Sequence, residues 1–150
     1  MQKLEDFEML QAALDNDKNE AISNLTYSKI RRAINDILQP MQFKPGELKS
    51  LHYRLNGYRY IENDADIRVG AYVRWISLKT PDNLVLTNGA HVCSVYAADA
   101  ADAGTVRIKC KTTHGNRCRF FVLNADENIL FQKLTDQERI ILDAFKFIEL

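Results

Sequence analysis

Aromatic and cationic side chains interleave through the middle of the chain, where Tyr53, Tyr58, Tyr60, Tyr72 and Trp75 alternate with Arg54, Arg59, Arg68 and Arg74. A second basic stretch follows, with Arg107, Lys109, Lys111, Arg117 and Arg119 and no acidic residue among them. Rings that stack on bases beside cations that meet phosphate are a common way to hold single-stranded nucleic acid. Tyr, Trp and Arg are also the usual energetic anchors of protein–protein interfaces, and strands are rich in aromatic residues with no binding role at all. The candidates for either kind of contact are Tyr58, Arg59, Tyr60, Tyr72, Arg74, Trp75, Arg117 and Arg119. Strand alternation sets Arg59 on the face opposite Tyr58 and Tyr60, and turns Trp75 away from Arg74. Tyr72 and Arg74 share a face, which makes them the better-placed pair.

Other chemistry has less to build on. Cys110, His114 and Cys118 are spaced along one expected hairpin, with His91 and Cys93 upstream. Structural zinc takes four ligands, commonly from closely spaced cysteine pairs, and no C-x2-C occurs. No metal is assigned; Cys93, Cys110, His114 and Cys118 are the only candidates, with His114 at the hairpin tip, and the three cysteines read instead as small hydrophobes in strand patterns. A Cys118–His114 thiol–imidazole pair would need an exposed thiol with a lowered pKa. No serine sits in a G-x-S-x-G elbow. Asp64 with Asp66, and Asp99 with Asp102, read as solvated loop acids. Neither G-x-x-x-x-G-K-[ST] nor G-x-G-x-x-G occurs, so no cofactor is expected. The chain is expected not to be an enzyme.

The elements that must position these residues follow from periodicity. Leu4, Phe7, Met9, Leu10, Ala13 and Leu14 recur at helical spacing, and Asn16, Asp17 and Asn19 interrupt them. Asn24 or Thr26 caps a second helix whose stripe is Ile30, Ala33, Ile34, Ile37 and Leu38, and Pro40 ends it. The first twenty residues hold Glu5, Asp6, Glu8, Asp15, Asp17 and Glu20, which suit a solvated face or a complement to the basic strands. From Glu47 to about residue 132 the period is two. Expected strands include Leu51–Leu55, Tyr58–Ile61 after an Asn56-Gly57 turn, Ile67–Leu78, Leu84–Thr87 and His91–Tyr96. Residues 97–104 read as an exposed loop. Thr105–Lys111 and Cys118–Leu123 form a hairpin with Val106, Ile108 and Cys110 facing Cys118, Phe120 and Val122. Ile129–Gln132 is a last strand. Thr135 with Glu138 is a capping box opening a terminal helix.

Short strands with frequent turns predict an α+β chain: a small antiparallel β-barrel or sandwich with two N-terminal helices and one C-terminal helix. A length of 150 residues suits a single compact domain over 1–150. It would comprise a helical arm (1–38), a β-rich core (47–132) and a C-terminal helix (135–149). The net charge is zero, which favours association with other chains over dispersal and lowers the prospect of a freely diffusing nucleic-acid binder. No stretch approaches the roughly 18 apolar residues of a membrane span, and the acidic start does not read as a secretory signal. The odd number of cysteines, three, fits a reducing compartment.

The runs Gly70-Ala71-Tyr72-Val73-Arg74-Trp75-Ile76 and Leu86-Thr87-Asn88-Gly89-Ala90 resemble small minor structural or uncharacterised proteins of large nucleocytoplasmic DNA viruses. The resemblance covers about residues 47–132 and carries no catalytic residue. It implies a non-enzymatic minor capsid or virion-associated protein that packs against other chains in a larger assembly, in the virion or in host cytoplasm or nucleus. The alternative expectation is a small β-barrel module that binds single-stranded nucleic acid or a nucleoprotein.

Overall fold

Among the described residues, six strands form one antiparallel sheet, in the order β1-β6-β2-β3-β4-β5. They are β1 (Tyr58–Tyr60), β2 (Tyr72–Ser77), β3 (Ala90–Ala97), β4 (Val106–His114), β5 (Arg117–Asn124) and β6 (Asn128–Lys133). Four helices among the described residues flank them in sequence: α1 (Gln2–Asp15), α2 (Tyr27–Leu38), α3 (Pro45–Arg54) and α4 (Asp136–Ile148). The computed structural model describes residues 2–97 and 104–148. Most of the alanine-rich segment expected as a loop, residues 98–103, lies outside them.

Two expectations about the fold are corrected. The sheet is open, since β1 and β5 end it and do not pair with each other, so it is neither a closed barrel nor a sandwich. Three helices precede the strands, where two were expected, because Leu51–Leu55 is part of α3 and its end rather than a strand. The alternation Leu51, Tyr53, Leu55 imitates period two, yet Tyr53 is 83% exposed while Leu51 and Leu55 are buried. Leu48, Leu51 and Leu55 keep helical spacing instead. Pro45 opens α3 at the position where its missing N–H costs nothing. Gly57, at φ 86°, serves as the left-handed residue that follows a helix end, where a hairpin turn was expected.

The strand set is also shorter than alternation implied. Ile67–Leu78 contains β2 only from Tyr72, after a turn at residues 64–70, and Leu84–Thr87 contributes one isolated bridge, Leu86 with Ile76. The hairpin register differs by one residue from the expected one. Cys110 lies opposite Phe121 and Ile108 opposite Leu123, while Lys109, Lys111 and Thr113 oppose Val122, Phe120 and Cys118. A one-residue slip moves every side chain to the other face, so Phe121 and Leu123, not Phe120 and Val122, join the core.

By contact the described chain divides into two units, Met1–His52 with Leu134–Leu150, and Tyr53–Lys133. In the first, the helices from the two ends of the chain pack together, α1 on α4. Thr26 caps α2 by accepting a hydrogen bond from the Lys29 amide, and α2 stops at Leu38 ahead of Pro40. Buried Asn19 donates through Nδ2 to the Ala13 carbonyl and to Gln137. Tyr27 donates to Asp143 at 2.8 Å, and burial together with that carboxylate pushes the phenol up to about 12. Of the apolar stripe expected on α1 only Ala13 is buried, and Leu4, Phe7, Met9 and Leu14 are exposed.

In the second unit both faces of the sheet bury apolar side chains: Ile76, Ile129 and Phe131 on one, and a larger core cluster on the other. Val73, Ala90, Val92, Ile108, Cys110 and Leu130 are buried there with Ile61, Ile67 and Ala125, and Trp75 and Phe121 pack over them. The Trp75 and Phe121 rings are 5.6 Å apart, although β2 and β5 are separated by β3 and β4. Three strand spacings in a flat sheet would span about 14 Å, so the sheet curls toward its core face. Small side chains in the trough (Ala90, Val92, Cys110) and a bulge between Val92 and Ser94 accommodate that curl.

The capping box at α4 is present in both directions. The Thr135 amide donates to Glu138 Oε1, and the Glu138 amide donates to Thr135 Oγ1. Replacing Thr135 with alanine is expected to destabilise the chain by about 1 kcal/mol, measured as a lower urea midpoint at unchanged slope.

Candidate functional site

A cleft of about 430 Å³ opens at one end of the curled sheet, between the Thr87–His91 segment and the β4–β5 hairpin. Its walls include the rings of Tyr72, Trp75 and Phe121, the cations Lys111 and Arg119, and His91 and His114. Among the described residues no carboxylate lines it. The volume falls in the range of small-molecule sites.

The Thr87–Gly89 wall is held against β2 by hydrogen bonds. The Thr87 amide donates to the Trp75 carbonyl, and the Trp75 amide donates to Thr87 Oγ1. Arg74 donates through Nε to the Thr87 carbonyl at 2.8 Å and through Nη1 to the Arg54 carbonyl at 3.2 Å. Arg54 in turn donates to the Leu86 carbonyl. Tyr72 donates its hydroxyl to the Asn88 carbonyl at 2.7 Å and meets His91 edge-on, with centroids 5.0 Å apart. Gly89 has φ +104°, and a Cβ there would stand 2.6 Å from the Val73 carbonyl oxygen and from the Tyr72 ring. Only glycine allows this approach.

The residues singled out from the sequence separate into three groups. Tyr72, Trp75 and Arg119 line the cleft, and exposed Arg117 stands next to it on β5, opposite His114. Arg74 is spent on backbone carbonyls and is a clamp for the cleft wall rather than part of it. Tyr58, Arg59 and Tyr60 lie on β1, at the other edge of the sheet. Arg59 is 5% exposed and stands 4.0 Å from the Asp66 carboxylate. Tyr60 packs on Phe131 with centroids 6.1 Å apart, and burial raises both the Tyr58 and Tyr60 phenols above their ordinary value. Sequence reasoning missed Lys111, His91, His114 and Phe121 as wall residues. Only the correct hairpin register puts Phe121 on the core face and Lys111 beside the opening.

The cysteine and histidine constellation does not converge. Cys110 and Cys118 oppose different residues, Phe121 and Thr113. Cys118 shares the outer face with Thr113, whereas His114 is turned to the other face, so the two do not form a thiol–imidazole pair. Among the described residues no group of three or more His, Cys, Asp or Glu side chains is arranged to hold a metal ion. No described helix is long and apolar enough to cross a membrane. No family model, curated protein or solved structure matches this chain.

Burial, aided by the nearby Cys93, pushes the Cys110 thiol up to about 11, while Cys118 is exposed. At pH 8 about one Cys110 in a thousand would be thiolate, and burial blocks reagent as well. A thiol-reactive disulfide should therefore label Cys118 first, with that fast phase absent in Cys118→Ser, and label Cys110 only on unfolding. Rapid reaction of all three thiols in the native chain would contradict the placement of Cys110. Gly89→Ala is expected to cost about 2 kcal/mol, read in the same urea unfolding experiment.

Proposed function

We propose that this chain is a binding module for single-stranded nucleic acid, with the cleft as its site. The observation that carries the proposal is the composition of the cleft walls: three aromatic rings and two cations, with no carboxylate among the described residues. Bases offer flat faces that stack on such rings, at about 1–3 kcal/mol per base. Phosphates meet Lys111 and Arg119, with Arg117 next along β5. A duplex, whose bases are already stacked and paired, would offer the rings nothing. A zero overall charge is compatible with this reading because the cations gather on one hairpin. From Gly104 to Ala125 the chain holds no acidic residue.

Trp75 is the one tryptophan in the chain, so its fluorescence reports the cleft directly. Titration with a short oligothymidine is expected to quench it, with affinity falling as salt rises. Lys111→Ala and Arg119→Ala should each weaken binding and reduce the magnitude of the log–log salt slope by about 0.7. A polyphosphate of equal charge should compete without quenching. Unchanged fluorescence at low salt, or quenching equal for duplex and single strand, would rule the proposal out.

A second reading, a structural component of a larger assembly such as a virion, is favoured by one separate observation. The edge strand β5 exposes Phe120 and Val122, 56% and 51% accessible. Contiguous apolar surface of this kind marks protein contacts. Concentration-dependent assembly in light scattering without oligonucleotide, together with a silent Trp75, would favour it over the first.

A further inference from the structure

We propose that the outer edge of β5 takes an extended acidic segment of a partner protein as an added strand. Among the described residues β5 bonds to β4 alone and ends the sheet. It runs eight residues, Arg117–Asn124, with neither glycine nor proline. Alternate residues of such a strand direct their N–H and C=O groups away from the sheet, unpaired and ready to template another strand. Proteins usually protect an edge of this length with a bulge, a proline or a covering element. Here the edge instead carries an exposed apolar row, Cys118, Phe120 and Val122, on the outer face.

Charge selects the occupant. Arg117 and Arg119 alternate with that row on the other face of β5. Lys109 and Lys111 stand on β4 opposite Val122 and Phe120, with the Lys109 ammonium 5.3 Å from the Phe120 ring centroid. A second copy pairing through β5 would bring two such cationic hairpins side by side, and like charges on neighbouring strands are destabilising. An acidic strand relieves this. Its alternate apolar side chains extend the row of Phe120 and Val122, and the carboxylates between them meet Arg117 and Arg119. A nucleic-acid backbone could satisfy the cations but has no amide donors for the strand edge.

The probe is a labelled peptide of alternating valine and glutamate, mixed with the full chain and followed by fluorescence anisotropy. N-methylation of one alternate set of its amides should weaken binding at least about tenfold, and methylation of the other set should not, because only one set can face β5. Exchanging glutamate for lysine should weaken it by a similar factor. Binding that is indifferent to both methylation patterns, binding equally strong for the lysine peptide, or none at all would overturn the proposal. A free chain that dimerises in light scattering and thereby excludes the peptide would overturn it in favour of a second copy. Arg119 belongs to both sites, but the methylation pattern reads backbone pairing at the β5 edge, which the cleft does not supply, so its failure is distinguishable from a silent Trp75 with oligonucleotide.

Discussion

The second unit depends on one contact, the packing of Trp75 from β2 against Phe121 from β5. In a flat sheet these rings would stand on strands about 14 Å apart, but they meet at 5.6 Å. Large side chains can meet above a trough only if the trough itself is shallow, and it is floored by Ala90, Val92 and Cys110. The bulge in β3 adds local bend. Bending the sheet this far buries one face without a second sheet, and it leaves a notch at the end where the Thr87–His91 segment and the hairpin diverge. The cleft is thus a geometric consequence of incomplete closure. A closed barrel would have filled the same volume with side chains, and a flat sheet would have offered no concavity.

Incomplete closure also divides the labour among residues of the same type. Arginine is the clearest case. Arg74 and Arg54 turn inward to backbone carbonyls and fix the cleft wall, and buried Arg59 lies beside Asp66. Gln132, opposite Arg59 in the β1–β6 register, accepts from the Arg68 amide and donates to the Asp66 carbonyl. These groups are placed for structure, since a buried cation needs compensating acceptors. Arg117 and Arg119 are exposed on the edge strand. Cationic interleaving in the sequence therefore records two different jobs, and burial separates them.

Much of the local structure is legible in the sequence because it rests on short-range chemistry. The Thr26 cap, the stop before Pro40, the Thr135–Glu138 box and the β4–β5 hairpin all depend on residues within a few positions of one another. The errors have equally specific causes. Leu51, Tyr53 and Leu55 satisfy period two while Leu48, Leu51 and Leu55 satisfy the helix, and only the exposure of Tyr53 distinguishes them. The hairpin has apolar residues at both parities, Phe120 and Val122 as well as Phe121 and Leu123, so its register cannot be read from pattern alone. Pairing order cannot be read either: β6 inserts between β1 and β2, which is a long-range event. The cleft followed the same division. Trp75, Tyr72 and Arg119 stood out by type, whereas Lys111, His91, His114 and Phe121 belong to the site only through register and curl.

The central claim, that the curled sheet presents Trp75 and its neighbours to an unpaired base, is tested most directly by photocrosslinking. A single strand carrying a photoreactive thymidine analogue would be irradiated with the protein, and the attachment sites mapped by mass spectrometry. Cross-links at Trp75, Tyr72 or Phe121, suppressed by unlabelled single strand, are the predicted result. Cross-links confined to residues away from the cleft, such as exposed Tyr53 or Phe7, or none at low salt, would contradict the account.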